Sequence, residues 1–150
     1  IVIGGLAGSF AVLAGAAAVT PALEAIPIIL AVVLFLWTPP HFWCLAIAFH
    51  RDYAAAGVPM LPVVIGDAGA ARVIFHNTVA LTATSLLPLA FGMGVFYAAG
   101  AVLGGALFLR RSLALVREPT PAVAMRCFHA SLAQLALLLA GAMLDVGLRS

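Results

Sequence analysis

Apolar residues fall into five blocks, over residues 1–20, 26–49, 73–91, 94–109 and 127–146, parted by breaks marked with proline, glycine or arginine. A helix rises about 1.5 Å per residue, so about 20 residues cross roughly 30 Å of hydrocarbon, and each block predicts one membrane-spanning helix. Only Pro88, Gly92 and Gly94 separate the third block from the fourth, where a single long tilted helix is the competing reading. The segment 50–72 is longer than the roughly two to eight residues usual between bundle helices, which marks it as a lid or binding segment. Within it, residues 50–56 predict a short helix, while Pro59 and Pro62 predict extended chain over 59–64. His76, Asn77 and Thr78 are expected to open the third helix. Gly4, Gly8, Ala11, Gly15 and Ala18 recur at helical spacing and predict a smooth packing face on the first helix, as Gly100 and Gly104 do on the fourth.

Composition turns these elements into a class. With 65% hydrophobic and 8% charged residues and a mean hydropathy of +1.23, a soluble fold would lack the polar surface it needs. The chain is read as a single all-α domain, an integral membrane helical bundle embedded in lipid. Its net charge of +2 comes from arginine without any lysine and is too small and scattered for nucleic acid. Arg51 and Arg72 flank the 50–72 connection, Arg110, Arg111, Arg117 and Arg126 flank 110–126, and the turns near 21–25 and Gly92 carry no basic residue. By the positive-inside rule both arginine-bearing connections are cytoplasmic, the first helix begins on that side, and Ser150 lies outside. Arg51, Arg110 and Arg111 read first as topology anchors. Cys44 and Cys127, each alone in an apolar segment without metal-ligand spacing, read as packing thiols. The start at Ile1 without a basic leader reads as a piece of something longer.

The chemistry concentrates in Trp37-Thr38-Pro39-Pro40-His41-Phe42-Trp43 and the polar segment after it, His50-Arg51-Asp52-Tyr53-Ala54-Ala55-Ala56-Gly57-Val58-Pro59-Met60-Leu61-Pro62. Ionisable groups and broken helices within a membrane usually line an internal cavity, because lipid satisfies neither. On an ideal helix His41 and Asp52 differ by roughly 20° in direction, and Trp37 and Thr38 fall on the same side. That predicts one pocket wall running from an aromatic ring and a hydroxyl through an imidazole to a carboxylate at the mouth. Asp52 there suits a hard cation such as Mg²⁺ bridging to phosphate oxygens, and Arg51, His50 and Arg72 add charge for an anion. His41 faces either a ligand or a carbonyl freed by Pro39 or Pro40. His129, Ser131 and Gln134 form a polar stripe expected to make interhelical hydrogen bonds, and Asp145 is read as a helix-end residue.

The proline-histidine run, followed by Asp52-Tyr53-Ala54-Ala55-Ala56-Gly57-Val58-Pro59-Met60-Leu61-Pro62-Val63-Val64, closely resembles the heme O synthases (protoheme IX farnesyltransferases). These are UbiA-type intramembrane prenyltransferases. The opening Ile1-Val2-Ile3-Gly4-Gly5, the run Glu118-Pro119-Thr120 and the run Phe128-His129-Ala130-Ser131 extend the resemblance over nearly the whole chain. It implies a nine-helix bundle of the bacterial inner membrane with a cytoplasmic active site, of which this chain resembles the C-terminal five helices. The implied reaction transfers farnesyl from farnesyl diphosphate to a vinyl group of heme B with addition of water, releasing diphosphate. Mg²⁺ is the implied cofactor. The implied partners are the N-terminal helices of the same protein, and heme A synthase or terminal oxidase assembly. On this chain the resemblance puts Asp52, Tyr53 and His41 at the reaction, with Asp52 as metal ligand. Arg51, His50, Arg72, Trp37, Thr38 and Phe42 then surround the substrates.

Two departures accompany the resemblance. Arg51 stands where relatives often carry a second aspartate before Asp52, which suggests a direct arginine contact to diphosphate. The family's first acidic motif, with its asparagine and aspartate, is not in this chain, so the 150 residues alone are expected to be inactive. Two other readings compete: a prenyltransferase of the same fold acting on a quinone or chlorophyll precursor, and a transporter or structural membrane subunit.

Overall fold

The computed structural model describes residues 2–22 and 24–148; Ile1, Leu23, Arg149 and Ser150, and with them the expected external position of Ser150, lie outside the described residues. Among the described residues the regular structure is entirely helical. α1 spans Val2–Val19, α2 Ala25–Ala48, α3 His50–Ala55, α4 Leu61–Ile65, α5 Asp67–Ser85, α6 Val95–Arg117 and α7 Pro121–Gly147, with a 3₁₀ turn at Leu87–Phe91. Four of these stretches, Ala25–Ala48, Asp67–Phe91, Val95–Arg117 and Pro121–Gly147, are long and apolar enough to cross a membrane, and α1 is a shorter apolar helix. The chain is a membrane helical bundle.

Several boundaries differ from the sequence expectation, for one physical reason: hydropathy marks where a helix leaves hydrocarbon, not where it ends. α6 runs through Arg110, Arg111 and Arg117, and α7 already contains Arg126, so only residues 118–120 separate them. Arginine is a good helix former, and nothing in the charged turns breaks the hydrogen-bond ladder. Likewise α5 starts at Asp67, and Arg72, His76, Asn77 and Thr78 lie inside it rather than at its opening. Residues 61–65 are helical where extended chain was expected. Pro62 sits in the first turn of α4, where its missing N–H costs nothing, and Val63 and Val64 donate back to the Met60 carbonyl at 2.8 and 3.2 Å. Between α5 and α6 the chain turns back, because Gly92 takes a left-handed conformation (φ 94°) that ends the 3₁₀ turn.

α2, α5, α6 and α7 pack as a closed ring, α2 on α5, α5 on α6, α6 on α7 and α7 on α2, while α1 lies outside against α2. Ile47, Ile74, Leu81, Tyr97, Phe108, Leu115 and Leu138 fill the centre of the ring. The closest approach is between α6 and α7. A methyl group at Gly100 would collide with the Leu137 carbonyl, one at Gly104 would lie 2.9 Å from Gln134 Cα, and one at Gly141 would lie 2.5 Å from the Phe96 carbonyl oxygen. On α1 the expected glycine face is only partly used. Gly8 meets Leu34, but Gly4 and Gly15 meet no neighbour, and the contact is completed by Gly5 and by Ser9, whose hydroxyl donates to the Ala31 carbonyl at 2.8 Å.

The ends of the bundle are distinct. At one end Pro121 lines a cavity with His50, Arg51, Asp52 and Asp67, so the two arginine-bearing connections lie together. At the other end buried Asp145 of α7 accepts hydrogen bonds from the amides of Gly94 (2.7 Å), Tyr97 (2.9 Å) and Phe96 (3.3 Å). A carboxylate on these free amides also meets the positive end of the α6 dipole.

Candidate functional site

α2 carries Pro39 and Pro40 inside a continuous helix and stops only at Phe49 (φ −114°, ψ 36°), whose carbonyl accepts from the amides of Asp52 and Tyr53 and so starts α3 in a new direction. This break divides the predicted pocket wall. Trp37 and His41 turn inward onto α7, Thr38, Phe42 and Tyr53 line one cavity, and His50, Arg51 and Asp52 line another.

The inward cluster is closely constrained. His41 is 7% exposed and its ring stacks between Trp37 (centroids 4.1 Å apart) and Phe128 (4.4 Å), with the edge of Phe42 at 5.2 Å. Its Nδ1 lies 2.7 Å from the Ser131 hydroxyl oxygen. The same hydroxyl lies 2.6 Å from the Phe128 carbonyl, and when it donates there it accepts from a His41 Nδ1–H. Trp37 Nε1 donates to the Ser131 carbonyl at 2.8 Å. One residue of α7, Ser131, thus meets the polar groups of both Trp37 and His41. Three residues beyond His41, Cys44 of α2 and Cys127 of α7 are both fully buried in the bundle core. Ser131 makes the interhelical bonds expected of the polar stripe, whereas buried Gln134 finds no partner for either amide atom among the described residues.

At the mouth, a cavity of about 520 Å³ is lined by Ile47, Phe49, His50, Arg51, Asp52, Asp67 and Pro121, among others. His50 Nδ1 lies 2.6 Å from Asp67 Oδ1, joining α3 to the first turn of α5, with both side chains about one-third exposed. Arg51 and Asp52 are exposed and form no ion pair among the described residues. A second cavity of about 360 Å³ is lined by Gly4, Thr38, Phe42, Tyr53 and Met60. Deeper along the α1/α2 seam lies an apolar groove of about 260 Å³ that includes Leu6, Phe10, Ile28, Val32 and Phe35. Thr38 donates its hydroxyl hydrogen to the Leu34 carbonyl, one turn back in the same helix.

Arg72 is exposed and lines neither cavity; its carbonyl accepts from His76 Nδ1 at 2.8 Å. Sequence reasoning missed Asp67, Ser131 as the acceptor for two α2 side chains, and Phe128 as the second face of the sandwich. For Asp67 a signal was present, an acidic residue directly after Gly66 at a helix start. Among the described residues no group of three or more histidine, cysteine or acidic side chains is arranged to hold a metal by itself. The unpaired Asp52 carboxylate does fit the chemistry of Mg²⁺, which commonly takes one or two protein carboxylates and completes its shell with water and substrate phosphate.

Residues 1–142 match the UbiA prenyltransferase family. Protoheme IX farnesyltransferase 2 of Paramagnetospirillum magneticum is 59% identical over 145 residues, 97% of this chain and 50% of that protein. Protoheme IX farnesyltransferase 1 of the same organism is 52% identical over 139 residues, 92% of this chain and 49% of that protein. Protoheme IX farnesyltransferase 1 of Cenarchaeum symbiosum is 44% identical over 145 residues, 97% of this chain and 49% of that protein. The chain spans about half the length of these relatives. No solved structure matches it.

Proposed function

The chain belongs to the UbiA prenyltransferase family, and from that premise we propose that it is the C-terminal half of a nine-helix farnesyltransferase of the bacterial inner membrane. The proposed reaction joins the farnesyl C1 of farnesyl diphosphate to a vinyl group of heme B, adds water to the resulting cation and releases diphosphate, giving heme O. The observation that carries this reading is the position of α3 between two unlike cavities. Asp52 borders the charged one, and the next residue, Tyr53, borders the one walled by Phe42 and Met60. A prenyl diphosphate has this same division, an anionic head bonded directly to an apolar chain.

In this reading Asp52 holds Mg²⁺ and Arg51 contacts diphosphate oxygens, in a cavity open to water. The metal supplies charge neutralisation for the departing diphosphate. His50, held by Asp67, fixes this wall of the cavity, and Arg72 contributes long-range attraction from the surface. Tyr53 and Phe42 present ring faces to the allylic cation, and the α1/α2 groove receives the rest of the chain. His41 and Trp37 act from behind, fixing the α2 wall that carries Phe42, while Thr38 lines the same cavity as Phe42. The relatives are about twice as long as this chain, and the reading expects further metal ligands in the remainder of the full-length protein, with residues 1–150 alone inactive. The arginine-bearing end faces the cytoplasm, and the product passes to heme A synthase or terminal oxidase assembly.

The test uses the intact protein in lipid nanodiscs with heme B, farnesyl diphosphate and Mg²⁺, with mass spectrometry of the extracted hemes. Heme O that disappears on chelation of Mg²⁺ is the expected result. Product formed only with a quinone or chlorophyll precursor, or no transfer to any acceptor, would overturn the reading.

A further inference from the structure

On the outer face of α6 and α7, away from both cavities above, lies a third cavity of about 300 Å³ lined by Leu107, Arg111, Arg126, His129, Ala130 and Ala133. We infer that this cleft binds an anionic phospholipid, with the phosphate between Arg111 and Arg126 and an acyl chain below.

The lining is ordered along the membrane normal. Arg111 is six residues from the end of α6 and Arg126 five residues into α7, so both lie roughly 8–9 Å along their helices from the 118–120 turn. Leu107 and Ala133, one to two turns deeper, form the floor. Leu103 and Leu137, each a further four residues along the same stripes, are exposed and carry the apolar surface toward the middle of the helices. Beneath them the cleft closes, since Gly104 and Gly100 bring α6 against the backbone of Gln134 and Leu137. Charge nearest the turn, small and aliphatic residues beneath it and a closed seam behind follow the sequence of a phospholipid from phosphate to chain.

Neither guanidinium forms an ion pair among the described residues, so the site carries two uncompensated positive charges with His129 beside them. A topology anchor needs only charge near the headgroups. Here the charge borders a cavity, and basic pockets between membrane helices are suited to anionic lipid head groups. Free phosphate would leave the apolar floor and the exposed leucines without an occupant, which is why the lipid is the ligand assigned.

The site does not depend on the proposed reaction, and its test reads lipid retention. Native mass spectrometry of the intact protein in mild detergent, with added phosphatidylglycerol or phosphatidylcholine of matched chains, should show retained phosphatidylglycerol only. The double variant Arg111→Gln/Arg126→Gln should weaken that retention by about thirty-fold, from two lost charges near the surface. Arg111→Lys/Arg126→Lys should keep most of it and shows that the fold tolerates change at these positions. Arg110→Gln/Arg117→Gln, which removes the same charge from outside the cavity, should leave retention within about threefold of the unmodified protein. Equal retention of both lipids, equal loss in the two glutamine variants, or displacement of phosphatidylglycerol by millimolar inorganic phosphate would overturn the inference.

Discussion

The mouth around α3 and the seam between α2 and α7 are built from one stretch of sequence, yet they do opposite things with their polar groups. In the seam every polar atom of the motif that the structure pairs is spent inside the protein: Trp37 on the Ser131 carbonyl, His41 on the Ser131 hydroxyl and Thr38 on its own helix. At the mouth Arg51 and Asp52 are left uncommitted beside a cavity, and only His50 is tied, to Asp67. Polar groups already satisfied within a bundle stabilise it, while uncommitted ones beside a cavity are available to a ligand. The proposed reading accordingly puts substrate chemistry at the mouth and bracing in the seam, although the histidine in the seam is the more conspicuous residue in the sequence.

The largest effect that sharpens this contrast is expected from Asp52→Ala. Removing the carboxylate proposed to hold Mg²⁺ should lower heme O formation by about a hundredfold or more while the protein remains folded in the membrane, measured by mass spectrometry of extracted hemes. Undiminished heme O would move the metal elsewhere. Second in size, Ser131→Ala leaves the buried His41 Nδ1 without its hydrogen-bond partner and should destabilise the bundle by about 1–3 kcal/mol, read from denaturant unfolding in micelles. If stability were unchanged and farnesyl diphosphate binding lost, the seam would belong to the substrate site.

Asp145→Ala tests bracing far from either region. It removes the acceptor shared by the Gly94, Phe96 and Tyr97 amides and should also cost about 1–3 kcal/mol, with the KM for both substrates unchanged. The smallest effect is expected from Asp67→Ala, which frees His50 and should raise the KM for farnesyl diphosphate about threefold, with Asp67→Asn recovering most of the loss. An equal defect in both variants would mean that the charge of Asp67, and not the hydrogen bond it accepts, is what matters.

Much of the fold was legible in the sequence, because the apolar blocks and the glycines at 100 and 104 act through local period and size, which one chain displays. Helix ends were less legible. Arg110, Arg111 and Arg117 mark the edge of the hydrocarbon and yet continue α6. Of the candidate site, charge and the motif single out His50, Arg51 and Asp52, which border one cavity, but the single wall joining His41 to Asp52 rests on an ideal helix. Phe49 interrupts that helix, and the redirection depends on how α3 and α4 settle on α5, a matter of tertiary packing. Ser131 and Asp67 were hidden for the same reason: each matters through a partner on another helix, 90 and 17 residues away in sequence.

The most direct test of this division compares Asp52→Ala with Ser131→Ala in one preparation of the intact protein, recording the KM for farnesyl diphosphate and the unfolding midpoint together. Asp52→Ala should raise KM at least about tenfold with an unchanged midpoint, and Ser131→Ala should lower the midpoint with KM within about twofold. A normal KM in the aspartate variant, or a raised KM at an unchanged midpoint in the serine variant, would contradict the division.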